Sequence, residues 1–176
     1  MKKIVILISG KGSLLESFAK NENLKIVSVI ASKECIGIQE AEKLGLDCSI
    51  ETVYNENLAK KFNLSGIEIL VLAGFLKVLP TEFIETFEGK IVNCHPSLLP
   101  KFGGKGFYGD KVHVAVLSQK ETESGITIHF VDSGVDEGEI IKQFQVKVTE
   151  QDNLESLKAK IYELETAHYN QVVETL

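Results

Sequence analysis

The sequence contains no arginine: all 19 cationic side chains are lysines, set against 25 acidic ones, for a formal net charge of −6. Without guanidinium groups there are no bidentate clamps for phosphate or carboxylate. Without a basic face the chain cannot neutralise a nucleic-acid backbone, so no nucleic-acid partner is expected. Cysteine is scarce and unpaired. Cys35, Cys48 and Cys94 form an odd, scattered set with no CxxC, which argues against a disulfide framework or zinc knuckle and fits free thiols in a reducing cytoplasm. A cytoplasmic location and no metal are expected. No apolar run approaches ~18 residues, so no membrane partner is expected. The apolar start Ile4 to Ile8 runs into a glycine loop instead of a small-residue cleavage site, and reads as a first strand, not a signal peptide. Linkers, repeats and low-complexity segments are also missing. A site for small molecules is what remains.

What is present is enough apolar material for one domain over residues 1–176, with 44% of residues hydrophobic. β-Branched runs alternate with helix-like stretches. Strands are expected at 3–8, 24–32, around 48–52, at 67–74 and at 89–95. Helices are expected after Ser13, over 37–45 with Gly45 as a stop, and over 56–63. This alternation predicts an α/β, Rossmann-like, mostly parallel sheet flanked by helices. Beyond residue 100 a glycine-rich loop (101–110) precedes two strands, 124–132 and 139–148, joined hairpin-fashion through "SGVDEG". A final helix is capped by Asp152 or Asn153.

Two stretches carry chemistry. In "ILISGKGSLLES", Gly10 and Gly12 follow the first strand directly. Glycines that permit close approach, next to backbone amides at a helix N-terminus, can cradle a phosphate, although a plain tight turn would look the same. The loop lacks the third glycine and the acidic residue of a dinucleotide fingerprint, and it has no P-loop Gly-Lys-Ser/Thr. A single phosphate monoester asks for less.

The second stretch is "KIVNCHPSLLP", residues 90–100. On a strand, Ile91, Asn93 and His95 share one face, while Val92 and Cys94 share the other. Cys94 therefore points away from its neighbour His95 and reads as a small buried hydrophobe. Asn93 and His95 put an amide and a titratable donor side by side at the carboxyl end of a strand, where they can hold an oxygen gaining negative charge. The alternative is an Asn and a His satisfied by loop backbone. A partner carboxylate could come from Asp132, Asp136, Glu137 or Glu139 in "VDSGVDEGEI". Of these Asp136 sits in a glycine-flanked turn, although each alone also fits a solvated turn residue.

In combination, "VILISGKGSLLE", "VLAGFLKVLP", "IVNCHPSLLP" and "GITIHFVDSGVDEGEII" resemble the glycinamide ribonucleotide formyltransferases of the folate-dependent formyltransferase family, in the family's order over nearly the whole chain. The resemblance implies transfer of a formyl group from 10-formyltetrahydrofolate to the amine of 5′-phosphoribosylglycinamide in purine (IMP) biosynthesis, by a monomer or weak homodimer. It implies that His95 is the catalytic acid, that Asn93 binds the formyl oxygen, and that Asp136 raises the pKa of His95. It assigns Gly10, Gly12, Ser13, Leu14 and Glu165 to the ribotide, and Leu76, Lys77, Val78, Leu79 and Asn93 to the folate. A phosphate and ribotide half (1–90) and a folate and catalytic half (91–176) are expected. Leu14 stands where the family usually has Asn, Lys77 where Arg is common, and Thr166 where His is frequent. His113 matches a recurrent family histidine. His129 is expected as a strand residue packed near the site, and His168 on a helix face.

Overall fold

The computed structural model describes residues 1–176. The continuous apolar runs become the strands that are covered on both faces. β1 (Lys2–Ile8) and β4 (Ile69–Leu72) are buried almost throughout, as central parallel strands must be. With β2 (Leu24–Ala31), β3 (Cys48–Ile50), β5 (Lys90–His95), β6 (Glu123–Phe130) and β7 (Ile140–Lys147) they form one seven-stranded sheet. Its order is β3-β2-β1-β4-β5-β6-β7. The first five strands are parallel; β6 runs antiparallel to β5, and β7 antiparallel to β6.

The helices α1 (Leu15–Ala19), α2 (Ile36–Lys43), α3 (Glu56–Leu64), α4 (Thr81–Thr86), α5 (Asp110–Ser118) and α6 (Leu154–Thr175) divide between the two faces. One core joins Leu15 and Phe18 of α1, Ala41 of α2, Val116 of α5 and Leu157, Ile161 and Tyr169 of α6 to strand residues that include Val92 and Cys94. The other joins Ala59 and Phe62 of α3 and Phe83 of α4 to residues that include Ile91. The alternation read along 91–95 is therefore real: Ile91 and Cys94 lie in different cores.

Some local expectations differ. Ser13 does not open the first helix. Leu14 occupies the cap position without a side-chain cap, and Leu15 N–H donates to Gly12 O at 3.0 Å in a tight turn. The fourth strand is shorter than 67–74, and Gly74, at left-handed φ +68°, lies beyond its end. α4 and α5 are additional helices, each with an acidic residue in its first turn, Glu82 and Asp110. The last helix settles on Asn153, which forms a reciprocal capping box with Ser156. Asp152 accepts from Lys160 and Ser156 instead.

The chain winds from β1 outward through β2 to β3, then returns to β4 on the other side of β1. That reversal opens a crevice at the carboxyl ends of β1 and β4, the usual ligand position in an open α/β sheet. Ser9 stitches the two loops there. Its N–H donates to Gly74 O at 3.2 Å, and its hydroxyl accepts from Leu76 N–H at 2.9 Å.

Candidate active site

Asn93 and His95 stand at the carboxyl end of β5, on one face as their spacing requires. The antiparallel partner β6 brings His129 directly opposite Asn93 and Thr127 opposite His95. Asp136 arrives from the β6–β7 connection, with left-handed backbone at φ +58° that aims its carboxylate back over the strand ends; aspartate tolerates this conformation better than most residues. Its Oδ2 lies 3.4 Å from His95 Nδ1 and accepts Gly104 N–H at 3.0 Å. Its Oδ1 lies 3.7 Å from His129 Nε2. Asp136 thus contacts both His95 and His129, and Asn93 joins them through His129.

His129 is the member that sequence reasoning undervalued. It is 2% exposed. Its Nδ1–H donates to Phe130 O at 2.8 Å, and its Nε2 lies 3.2 Å from Asn93 Nδ2. A carbonyl can only accept, so neutral His129 keeps its hydrogen on Nδ1 and receives an Asn93 N–H at Nε2. That contact fixes the Asn93 amide with its second N–H free to meet a ligand oxygen. The face shared by Thr127 and His129 was legible from strand alternation. The register pairing His129 with Asn93 was not.

On His95 the Asp136 carboxylate acts in the expected upward direction, but burial is the larger influence. Burial acts most strongly and drives its pKa below the ordinary 6.5. The Asp136 carboxylate and the hydrogen bond to Phe102 O push upward without overcoming it. The ligand-free imidazole is therefore poised neutral, and Asp136 opposes desolvation instead of producing a net rise. Cys94 is buried, and burial holds its thiol well above the usual range, which suits a core residue and not a nucleophile.

The glycine loop lies at the end of β1. Gly12 has φ +68°, and a Cβ on it would come within 2.9 Å of Gly37 Cα and of Leu15 Cδ1, so only glycine fits between the loop and α2. Gly10 O accepts Gly37 N–H at 2.9 Å, and Ser13 O accepts the Tyr162 hydroxyl of α6 at 3.0 Å. The Leu14 side chain is buried, so only its backbone faces the crevice. Glu165, one turn beyond Ile161 on α6, makes no hydrogen bond or ion pair. Burial lifts its carboxyl from 4.5 to about 7.

On the opposite face, 75–79 forms the wall after β4. Leu79 is buried and Phe75 packs against the Tyr54 ring, whereas Leu76 and Val78 are 60% and 68% exposed. Two exposed branched aliphatic side chains at a ligand edge suit a flat apolar ring system better than a charged group. Lys77 turns aside and donates to Thr52 O at 2.9 Å. His113 is buried on α5 with Nδ1 unpartnered, and His168 stacks on Phe144 of β7. The glycine loop, the 75–79 segment and the Asn93–His95 pair lie at the carboxyl ends of the neighbouring strands β1, β4 and β5, and α6 reaches the glycine loop through Tyr162.

Comparison with known proteins agrees with this architecture. Residues 2–173 match the family model described as formyl transferase. The chain is 38% identical over 189 residues to a chloroplastic phosphoribosylglycinamide formyltransferase of Vigna unguiculata, an alignment covering 99% of this chain and 61% of that protein. A trifunctional purine biosynthetic protein of Drosophila pseudoobscura pseudoobscura is 36% identical over 92% of this chain, which spans 13% of its length. Among solved structures, a phosphoribosylglycinamide formyltransferase from Streptococcus pneumoniae TIGR4 superimposes with a TM-score of 0.87 at 30% identity, covering 99% of this chain and 98% of that one. With a family match over residues 2–173 and a fold shared with a solved structure over 99% of its length, this chain belongs to the formyl transferase family.

Proposed function

We propose that the protein transfers a formyl group from 10-formyltetrahydrofolate to the amine of 5′-phosphoribosylglycinamide, giving formylglycinamide ribonucleotide and tetrahydrofolate. The observation that carries this reading is that Asp136 contacts both His95 and His129 at the end of β5, with Asn93 held by His129. The free thiols fit a cytoplasmic setting.

The glycine loop and α6 hold the ribotide. Backbone amides of Gly12, Ser13 and Leu14 meet the phosphate, with Gly10 opening the turn. Positive charge comes from lysine, since arginine is absent. Lys101 is bound to Glu121 and Lys77 to Thr52. Lys11 lies in the loop itself. Lys158 sits one turn before Tyr162 on α6 and pairs with Asp110 at 2.6 Å; Lys11 and Lys158 both act on the Asp110 carboxyl, which they hold low. Glu165 faces the amine-bearing arm, where an ammonium would offset the cost of ionising its buried carboxyl.

The folate co-substrate supplies the formyl group, and the residues that hold its ring are Leu76, Lys77, Val78 and Leu79, with Asn93 at the reacting end. Asn93 donates its free N–H to the formyl oxygen as that oxygen gains charge. Protonated His95 donates alongside it, and Asp136 stabilises the imidazolium. The amine nitrogen bonds to the formyl carbon and gives up one proton, the bond from that carbon to the folate nitrogen breaks, and the leaving nitrogen takes one proton. The His95–Asp136 pair relays the first to supply the second. Removing one such donor typically costs ~2.7–4 kcal/mol of transition-state stabilisation.

An absorbance assay following loss of formyl-folate, run with and without the ribotide, tests the proposal. Turnover that requires the ribotide is the expected result. Formyl loss at the same rate without it would replace the transferase by a hydrolase, and ligand binding without turnover would leave only a sensor.

A further inference from the structure

His95 has two contacts, one at each ring nitrogen. Nε2 lies 2.7 Å from Phe102 O, and Nδ1 lies 3.4 Å from Asp136 Oδ2. The first is short and the second is loose. A main-chain carbonyl only accepts, so Nε2 must carry its hydrogen in both charge states of the ring. Neutral His95 then leaves its lone pair on Nδ1, facing a carboxylate. The proton that is gained and lost is the one at Nδ1, and the looseness of that contact leaves room for a substrate oxygen to share it.

The chain commits considerable structure to placing that carbonyl. Phe102 adopts left-handed backbone at φ +56°, a conformation that costs roughly 1–2 kcal/mol for a residue with a Cβ and persists only when its surroundings hold it. The Phe102 ring is half-buried against the α6-side core and packs edge-on to Phe107, with centroids 6.1 Å apart. On one side Ser97 Oγ donates to Lys101 O at 2.6 Å, and Lys101 pairs with Glu121. On the other, Gly103 fits closely against Leu99 and the Asp136 Cβ, and Gly104 N–H donates to Asp136 Oδ2. The carbonyl and the carboxylate that contact the imidazole are thus tied to one another.

We propose that Phe102 is a positioning residue whose carbonyl locks His95 in the Nε2–H tautomer and makes Nδ1 the nitrogen that donates to the reacting oxygen. In that role the proton leaves Nδ1 for the oxygen or the departing nitrogen, the ring is left neutral with its Nε2–H bond intact, and Nδ1 is recharged by the proton that the attacking amine gives up. The catalytic use of Nδ1 rests on the formyl-transfer reading, while the tautomer does not.

The test is nitrogen-15 NMR of histidine-labelled, ligand-free protein at a pH where His95 is neutral, combined with pH–rate profiles of Phe102→Ala and Phe102→Tyr. Wild type should give the shift pattern of a single Nε2–H tautomer. Phe102→Ala should give a mixture of tautomers, with kcat down at least about tenfold and the fall in rate with rising pH displaced to lower pH, because the bond to Phe102 favours the charged ring. Phe102→Tyr keeps an aromatic ring and should restore both readouts. An Nδ1–H or mixed tautomer in wild type overturns the proposal, whatever the variants do. So does a Phe102→Ala protein whose tautomer and pH profile match wild type, whether or not its rate falls. The spectrum needs no substrate, so an inactive wild type would refute the functional reading while leaving the tautomer result to stand by itself.

Discussion

Asp136→Asn tests the site most directly, because it changes charge and almost nothing else. The asparagine oxygen can still accept Gly104 N–H, so the loop that carries Phe102 stays in place. What disappears is a negative charge 3.4 Å from His95 Nδ1. At an effective dielectric of ~20, that charge attracts an imidazolium by about 5 kcal/mol. Burial already holds His95 below its ordinary value, with the carboxylate as the first of the opposing influences. Without it the imidazolium is disfavoured further, and the transition state loses a charged donor, for which ~2.7–4 kcal/mol, or roughly a hundred- to a thousandfold in rate, is the typical loss.

The pH profile carries the sign. His95 acts when protonated, so the rate falls as pH rises through its pKa. The variant lowers that pKa, so its fall begins at a more acid pH than in wild type. The assay follows formyl-folate consumption at saturating ribotide across the range of histidine titration. A variant within about threefold of wild-type kcat, with its alkaline limb in the same place, would refute the argument that Asp136 acts through charge on His95; threefold is well short of the loss expected for such a donor.

Other perturbations reach separate parts of the molecule. Glu165 has a carboxyl raised from 4.5 to about 7, so the folded state binds the extra proton and loses stability as pH rises from the lower value to the higher. Glu165→Gln removes that loss, and should be more stable than wild type by about 3 kcal/mol above neutrality and by little in acid, as read from denaturant midpoints at both pH values. Lys158→Met removes the lysine of α6 that pairs with Asp110. It should raise KM for the ribotide roughly tenfold with kcat nearly unchanged, and should leave KM for the dephosphorylated substrate alone; equal effects on both substrates would exclude a phosphate role. Gly12→Ala forces a Cβ against Gly37 and Leu15 at φ +68°. It should cost on the order of 1–3 kcal/mol of stability and weaken ribotide binding, measured by thermal unfolding with and without the ribotide.

The amino-acid sequence by itself determined the alternation that builds a parallel sheet, and with it the face on which each residue of 91–95 lies, because side chains on a strand alternate whatever its neighbours are. It also determined the chemistry on offer: an amide and an imidazole two residues apart, a carboxylate in a glycine-flanked turn, and lysine as the sole source of fixed positive charge. Tertiary structure decided which of these groups meet. His129 joins the site because β6 pairs with β5 in one particular register, and register depends on both strands at once. The Phe102 carbonyl reaches His95 because a strained loop, anchored by Phe107, Asp136 and Ser97, folds back over the strand that carries the imidazole. The downward pull on His95 and the upward pull on Glu165 come from burial, which arises only after distant segments have closed around the two groups.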